Sequence, residues 1–206
     1  MREIIMPALR ASAILWLLLG LAYPLAVTGL AQMLFPDEAR GSLVTGADGA
    51  VIGSRLIGQQ WTGAEWFHGR PSATTRINPG GPAATIPAPY NAANSGGSNL
   101  GPSSRALAER IATDRQALDR EQPELVGKPI PADALTTSAS GLDPDISPAF
   151  AAVQAARVAR ARGLTPEQVS ALVARHTTGR ALGIFGEPRV NVLELNVDLA
   201  KNYPRP

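Results

Sequence analysis

Between Arg10 and Asp37 the chain has 26 consecutive residues without a charged side chain. The run is rich in leucine, and a bilayer core about 30 Å thick needs roughly 20 apolar residues in a helix that rises about 1.5 Å per residue. We therefore predict one transmembrane helix from residue 11 to about residue 35. The rest of the chain would then lie on one side of a membrane.

Pro24 lies in the middle of this run. In water a proline there would break a helix, whereas in a bilayer the backbone has no other hydrogen-bond partner, so a kinked helix is expected to persist. A cleaved signal peptide is the alternative, because Gly29, Leu30 and Ala31 satisfy the small-residue rule for cleavage. The length of the run favours an anchor, since the apolar part of a signal peptide spans about 7 to 15 residues.

The charges on the two sides of the run differ. Two arginines and one glutamate precede it, and Asp37 and Glu38 follow it. Basic residues are preferentially retained on the cytoplasmic side of a membrane. We therefore expect residues 1–10 to form a cytoplasmic leader and residues 36–206 to form a domain on the non-cytoplasmic side.

The composition of this domain limits its function. About 170 residues follow the apolar run, which is the size of one globular domain. The sequence has no cysteine, which excludes disulfides and thiolate metal sites. Its 19 basic and 17 acidic residues are spread along the chain, which argues against binding to nucleic acid. The 20 glycines and 18 prolines predict long loops and short regular elements.

The residue pattern predicts an α+β fold, in which one loop-rich domain contains a small β-sheet covered by about three helices. Residues 41–59 are typical of a hairpin, because Asp48 and Gly49 stand between two apolar runs. Residues 191–199 alternate polar and apolar side chains, which predicts another strand of the same sheet. Three aromatic residues are expected to anchor a small core: Trp61, Trp66 and Phe67.

Residues 71–104 carry one charged side chain, Arg76, together with eleven prolines and glycines. This composition favours neither a helix nor a continuous strand, so we predict a long loop. Loops of this length in a compact domain are usually functional or disordered. The asparagine and serine side chains of the segment favour an ordered, hydrogen-bonded loop, with disorder as the alternative.

Three helices are predicted after this loop. One begins after Pro102 and ends before Pro123, with its apolar residues on one face. The second has Ser147 as its N-cap and ends at Gly163. The third opens with a capping box in residues 165–168. The second and third helices are expected to form a pair.

The sequence does not assemble a catalytic site. His68 and His176 stand far apart without cysteine, so a structural role is favoured for each over a metal site. The glycine-rich residues 95–101 lack the spacing of a phosphate-binding loop. Three serines are expected to turn or cap the chain: Ser138, Ser140 and Ser147. Three arginines are expected to form a solvated face of the second helix: Arg157, Arg160 and Arg162.

Several long words of the sequence occur together in one known family. The words are YPL (23–25), LIGQ (56–59), GRPSA (69–73), YNAANSGGSNLGP (90–102), SASGLDPDIS (138–147), RVAR (157–160) and GEPRVNVL (186–193). Through these words, which span nearly the whole chain, it resembles the C subunit (KdpC) of the Kdp-type, ATP-driven potassium transporters of bacteria.

The resemblance implies a non-catalytic accessory subunit with one transmembrane helix in the bacterial inner membrane and a periplasmic domain. It implies three partners: a channel-like potassium-binding subunit, a P-type ATPase subunit that hydrolyses ATP, and a small hydrophobic subunit. ATP and potassium would be handled by the complex, with no cofactor bound by this chain. The C subunit is described as a catalytic chaperone that raises affinity for ATP, and Gln59 matches a glutamine given that role, with Gln60 as the alternative position.

A domain outside the cytoplasm cannot touch ATP inside it, so we expect any effect on ATP affinity to pass through the membrane helix as a conformational preference. The domain is expected to lie over the potassium entrance, with loop 71–104 against the channel-like subunit. Seven side chains are the predicted partner-binding residues: Arg70, Tyr90, Asn91, Asn94, Ser95, Ser98 and Asn99. From the residues alone, an independent membrane-anchored envelope protein that binds a peptide or sugar through the Gly/Asn-rich loop is the alternative.

Overall fold

The computed structural model describes residues 2–46, 48–81 and 84–203. The chain forms two compact units, of which the first ends at Leu43 and the second begins at Val44. The described helices are α1 (Arg2–Leu17), α2 (Tyr23–Leu34), α3 (Pro36–Ala39), α4 (Arg105–Glu121), α5 (Pro148–Arg162), α6 (Pro166–Arg175) and α7 (Val192–Asn202). The described strands are β1 (Leu43–Thr45), β2 (Val51–Ser54), β3 (Thr75–Ile77), β4 (Thr85–Pro87), β5 (Asp145–Ile146), β6 (Thr177–Thr178) and β7 (Arg189–Asn191).

The first unit is almost entirely helical. A π-helical turn, Leu18–Ala22, joins α1 to α2, so the helix runs from Arg2 to Leu34. Within the described residues, Glu3–Leu34 is the one helical stretch long and apolar enough to cross a membrane. Its 32 residues span roughly 48 Å, which exceeds the thickness of a bilayer core. The helix starts earlier than the predicted span of 11–35 and is consistent with a single membrane anchor.

Pro24 lies directly after the π turn. Proline has no N–H, and its ring would collide with the carbonyl group four residues earlier in a regular α-helix. In the structure the Tyr23 N–H donates to the carbonyl oxygen of Leu18, five residues back. This wider turn changes the helical register just before the proline, which lets the helix continue.

The predicted hairpin is confirmed, because β1 and β2 form a two-stranded sheet. The turn contains Gly49 in a left-handed backbone conformation, with φ of +78°, and the Asp48 carboxylate accepts a hydrogen bond from Ala50 N–H at 3.1 Å. Asp-Gly turns are favoured for this reason. One residue of the predicted turn, Ala47, lies outside the described residues.

Residues 71–104 contain more regular structure than the sequence predicted. β3 and β4 pair antiparallel, with Arg76 opposite Ile86. The prediction of a loop without strands was therefore wrong for these two short segments. Glycine and proline lower strand propensity on average, but they do not prevent two three-residue segments from pairing. The described residues after β4 lack regular structure up to α4, as predicted.

The three predicted helices are α4, α5 and α6, and the predicted caps of α5 and α6 are confirmed. The Ser147 hydroxyl accepts from Phe150 N–H at the start of α5, and Gly163 ends that helix with φ of +65°. Thr165 and Gln168 form the capping box of α6. Such signals are readable in sequence because a cap involves residues three positions apart. α5 and α6 pack against each other, as predicted.

The predicted strand 191–199 was wrong, because only Asn191 lies in a strand and residues 192–199 form most of helix α7. The Asn191 side chain accepts from Glu194 N–H and caps the helix. Val192, Leu195 and Leu199 follow the spacing of one helical face, whereas Leu193, Leu195, Val197 and Leu199 recur at every second residue and so imitate strand alternation. β7 stops at Asn191 and forms the centre of a three-stranded sheet in the order β5-β7-β6, separate from the early hairpin.

The core lies around α5, α6 and α7, and side chains of two of these helices hold the extended segment that contains Phe67. Phe67 is fully buried. Asn196 on α7 accepts from its N–H and donates to its carbonyl oxygen, both at 2.9 Å. Gln154 on α5 does the same for His68, at 2.7 and 3.0 Å. These amides satisfy backbone groups that a neighbouring strand would otherwise satisfy.

The predicted solvated arginine face on α5 was wrong for two of its three members. Arg157 and Arg162 are buried, whereas Arg160 is exposed and pairs with Glu124 at 2.8 Å. The Arg162 guanidinium lies 4.3 Å from the centre of the Trp66 ring. Arg157 donates from Nη1 to three backbone carbonyl groups, those of Gly63, Ala64 and Trp66, at 3.2, 2.8 and 3.0 Å. Buried arginines are retained where carbonyl groups would otherwise lack donors.

Candidate partner-binding site

Three segments that are far apart in sequence meet at Gly58. The N–H of Gly58 donates to the carbonyl oxygen of Leu142 at 2.8 Å. The Tyr90 ring packs against the same glycine, so a Cβ at residue 58 would lie 2.6 Å from the Asp143 carbonyl oxygen and 2.5 Å from a Tyr90 ring carbon. Those distances are below van der Waals contact, so only glycine fits here without displacement. The family words that contain Gly58, Tyr90 and Asp143 thus form one contact.

Arg70 holds the next part of the cluster together. Its Nη1 donates to Asp143 Oδ2 at 3.0 Å, while Nε and Nη2 donate to the carbonyl oxygens of Thr136 and Thr137 at 3.3 and 3.2 Å. The Tyr90 hydroxyl donates to the Arg70 carbonyl oxygen at 2.7 Å. Burial, followed by the nearby Asp143 carboxylate, raises the pKa of Tyr90 to about 12. Tyr90 therefore remains a protonated donor at physiological pH.

The hydroxyl groups of Ser72 and Thr74 connect the start of loop 71–104 to later parts of the chain by hydrogen bonds. The Ser72 hydroxyl donates to the Gly141 carbonyl oxygen at 2.7 Å and accepts from Tyr90 N–H at 3.0 Å. The buried Thr74 hydroxyl donates to the Ala88 carbonyl oxygen at 2.6 Å. Sequence analysis did not select Ser72 or Thr74. Only the GRPSA word pointed to this region. These hydrogen-bond partners of Ser72 and Thr74 lie 14 to 69 residues further along the chain.

The predicted partner-binding asparagines and serines differ in their environments. Asn91 and Asn94 both donate from Nδ2 to the Thr75 carbonyl oxygen, at 2.7 and 3.0 Å. Ser95 donates to the Ser140 carbonyl oxygen at 3.0 Å, and Gly96 N–H donates to the same oxygen at 2.8 Å. Five of the seven predicted residues thus use their side chains within the chain: Arg70, Tyr90, Asn91, Asn94 and Ser95.

The other two predicted residues lie further along the same loop. Ser98 is half-buried, whereas Asn99 is exposed and has a φ of +52°. Asparagine tolerates this left-handed conformation better than most residues. The loop is therefore ordered by contacts with 138–142 and with β3, and its outer surface remains open. A role of these seven residues in binding a partner stays a prediction.

An open cleft of about 640 Å³ lies beside the Arg70–Asp143 pair. Its other wall carries a second ion pair, in which Arg189 Nε lies 3.1 Å from Asp145 Oδ2. Burial raises the pKa of Asp145, the nearby Asp143 raises it further, and the Arg189 charge opposes both effects. Two ion pairs therefore face this cleft, and the Asp133 carboxylate in its lining accepts hydrogen bonds from Ser147. This arrangement suits recognition of another surface better than acid-base chemistry.

Gln59 lies at the edge of this cluster and is half-buried. Its Nε2 donates to the Ile52 carbonyl oxygen at 2.7 Å, which ties the end of the hairpin segment to β2. Gln60, the alternative position, is exposed. The side chain of Gln59 therefore acts within the hairpin, and its predicted role in nucleotide affinity stays a prediction.

Each histidine is bonded within the fold. His68 Nε2 donates to the Gly63 carbonyl oxygen at 2.9 Å, and Nδ1 lies 3.7 Å from Glu121 Oε1. Burial, followed by the Arg157 charge, lowers the pKa of His68, which keeps the ring neutral at physiological pH. His176 Nε2 donates to Asp198 Oδ2 at 2.7 Å. Among the described residues there is no group of three or more side chains that could hold a metal ion.

The His176–Asp198 contact gives a stability prediction that depends on pH. The hydrogen bond from His176 lowers the pKa of Asp198 below its ordinary value of 3.8. The unfolded chain therefore binds this proton more readily, and the stabilisation is present above about pH 5 and declines as the pH falls through 3.8. We expect Asp198→Asn to lower the free energy of unfolding by about 1 kcal/mol at pH 7 and by less at pH 3.5.

Denaturant unfolding of the purified full chain at both pH values measures this difference. Glu109→Gln is the matched control, since Glu109 is exposed and pairs with Arg105 on the surface of α4. Its effect should be a few tenths of a kcal/mol. An Asp198→Asn effect that stays constant from pH 7 to pH 3.5 would exclude ionisation as its cause.

Known proteins resemble the chain over nearly its full length. A sequence model of the family described as "KdpC: K+-transporting ATPase, c chain" matches residues 5–201. The potassium-transporting ATPase KdpC subunit of Methylobacterium nodulans is 60% identical over 193 residues, which are 94% of this chain and 94% of that protein. The KdpC subunit of Methylorubrum extorquens is 57% identical over 198 residues, covering 95% and 96% of the two chains. The similarity includes both the apolar helix and the domain.

Proposed function

Because the chain belongs to the KdpC family of potassium-transporting ATPase subunits, we propose that it is a non-catalytic accessory subunit that docks its domain on the potassium-binding part of such a complex. The partners are a channel-like potassium-binding subunit, a P-type ATPase subunit and a small hydrophobic subunit in the bacterial inner membrane. The loop 71–104 contacts the channel-like subunit over the potassium entrance.

The ordering of this loop in the chain itself carries the proposal. Tyr90, Asn91 and Ser95 are bonded to distant parts of the domain, whereas Ala92 and Ala93 between them are exposed. A loop whose backbone is fixed before binding loses little conformational entropy when a partner arrives. Loops held in this way on a rigid scaffold are common binding surfaces.

The domain is proposed to lie on the periplasmic side, since the basic residues near the N-terminus favour the cytoplasm. An influence on ATP affinity then passes through the membrane helix. The π turn Leu18–Ala22 before Pro24 supports this route, because π turns are frequent at sites where a helix changes geometry. Gln59 would affect ATP affinity through the hairpin that it fixes to Ile52, without touching the nucleotide.

A single introduced cysteine tests orientation and contact together, because the natural sequence contains none. We expect Ala93→Cys to react with a membrane-impermeant thiol reagent added to intact spheroplasts that express this chain alone. Coexpression of the partner subunits should reduce the labelling rate by about tenfold, since a docked loop excludes the reagent. The measurement is the rate of label incorporation into the chain.

Val126→Cys is the control, because Val126 is exposed outside the loop. It should be labelled at the same rate with and without partners. Labelling of both variants only after lysis would refute the periplasmic orientation. Equal labelling of Ala93→Cys with and without partners would refute docking through this loop.

A further inference from the structure

The connection between β6 and β7 presents three large apolar side chains to solvent. Leu182, Ile184 and Phe185 are 88%, 72% and 64% exposed, and we call this group the apolar tip. The end of this connection, at Glu187 and Pro188, lines the cleft beside the Arg70–Asp143 pair. Soluble surfaces rarely expose three such residues within four positions unless they meet another surface.

The apolar tip is held in one conformation. Ala181 and Phe185 exchange two backbone hydrogen bonds, both 2.9 Å long. Arg180 and Glu187 close the base of the loop with an ion pair at 2.7 Å. Leu182 has a φ of +52°, which is unfavourable for a leucine and is here enforced by the loop. The tip is thus preorganised, which lowers the entropy lost when it enters a pocket.

The charges near the tip argue against a lipid surface as its partner. Within residues 179–189 the charged side chains are Arg180, Glu187 and Arg189, and each has an ion-pair partner, since Arg189 pairs with Asp145. Surfaces that insert into anionic membranes usually combine apolar residues with excess Lys or Arg. The tip also lacks the Trp and Tyr that favour the membrane interface.

The size of the tip argues against a second copy of this chain. Three side chains of this type amount to roughly 400 Å² of apolar surface, whereas a stable interface between free proteins needs about 800 Å² on each partner. A contact of half that size is effective when another attachment already holds the two proteins together, because the second contact is then intramolecular. A membrane helix within the same complex supplies such an attachment.

We propose that the apolar tip inserts into an apolar pocket on the extracytoplasmic surface of a partner subunit of the potassium-transporting complex. This inference rests on the proposed function, because it requires a partner on the same side of the membrane. It adds a second point of contact, separate from loop 71–104. The ion pair at the base of the loop orients the tip, and the apolar side chains provide the binding energy.

Photo-crosslinking in the intact complex tests the contact. Ile184 is replaced by the photoreactive residue p-benzoylphenylalanine, and the complex is irradiated in native membranes and purified through a tag on its ATPase subunit. We expect one product that joins this chain to a defined partner subunit, with the crosslinked peptide identified by mass spectrometry. The same residue placed at the exposed Val126 should give at most a tenth of that product.

A variant measures the contribution of the contact. In Leu182→Asn/Ile184→Ser/Phe185→Ser the apolar groups are lost, while asparagine still tolerates the left-handed backbone at residue 182. We expect this chain to dissociate from the detergent-purified complex at least tenfold faster than the wild type. Val126→Ser should leave the dissociation rate unchanged. The melting temperature of the triple variant should equal that of the wild type, since all three side chains are exposed.

The outcomes separate this inference from the proposed function. Suppose that the complex retains the wild-type chain. A crosslink to lipid or to a second copy, or an unchanged dissociation rate of the triple variant, would then overturn the apolar tip as a subunit contact and leave the accessory role standing. Failure of the wild-type chain to be retained overturns both.

Discussion

Replacing Arg157 with leucine is expected to lower the free energy of unfolding by about 3 to 5 kcal/mol. The Arg157 side chain is 3% exposed and donates to three backbone carbonyl groups in residues 63–66 and to Gln154 Oε1 at 2.7 Å. Leucine has no donor, so the carbonyl groups would stay buried without their partner. Each such group costs about 1 to 3 kcal/mol.

Denaturant unfolding of the full chain in detergent, followed by tryptophan fluorescence, measures the effect. Arg160→Leu provides the control on the same helix, because Arg160 is exposed and its ion pair with Glu124 lies at the surface. Its effect should stay within about 1 kcal/mol. Equal effects of the two substitutions would show that the buried hydrogen bonds of Arg157 stabilise the fold no more than the exposed ion pair of Arg160 does.

Replacing Gly58 with alanine is expected to have the second large effect. The added methyl group would lie 2.6 Å from the Asp143 carbonyl oxygen, so the backbone at residues 142–143 or the Tyr90 ring must move. Overpacking of this kind costs about 1 to 3 kcal/mol. It also disturbs the hydrogen bond from Gly58 N–H to Leu142, which orients the loop that carries the predicted partner-binding residues.

Two measurements check the Gly58→Ala variant: unfolding of the chain, and its yield in a complex purified through the ATPase subunit. Both should fall. Gly96→Ala is the matched control, because a Cβ at residue 96 meets no atom within 4 Å although it lies in the same cluster of segments. If Gly58→Ala assembled as well as Gly96→Ala, the cluster would not be needed to present the loop.

Local signals accounted for much of the fold. The caps at Ser147 and Thr165 fixed the starts of α5 and α6, since each cap depends on residues within one turn. The strand prediction for residues 191–199 was wrong for a reason that is also local. Its apolar spacing fits both periods, and only the Asn191 cap and the packing of Leu195 and Leu199 into the core select the helix.

The sequence predicted several residues of the candidate site but not the contacts between them. Arg70, Tyr90 and Asn91 were selected from the sequence, but their partners, Asp143 and Thr75 among them, lie 16 to 73 residues away. Arg157 was assigned to solvent because arginines on a helix are usually exposed. Its burial follows from the unpaired carbonyl groups of a neighbouring segment, which no pattern along α5 records.

The uncharged run before Asp37, by itself, predicted the helix Glu3–Leu34, which among the described residues is the one stretch long and apolar enough to cross a membrane. It could do so because the span of a helix depends only on its number of residues. The family words determined what kind of complex it belongs to. Tertiary structure alone decided that the words containing Gly58, Tyr90 and Asp143 meet at Gly58 and that the side chains of Leu182, Ile184 and Phe185 are exposed. Contacts between distant segments depend on the packing of the whole domain, and that packing leaves no periodic signal in the chain.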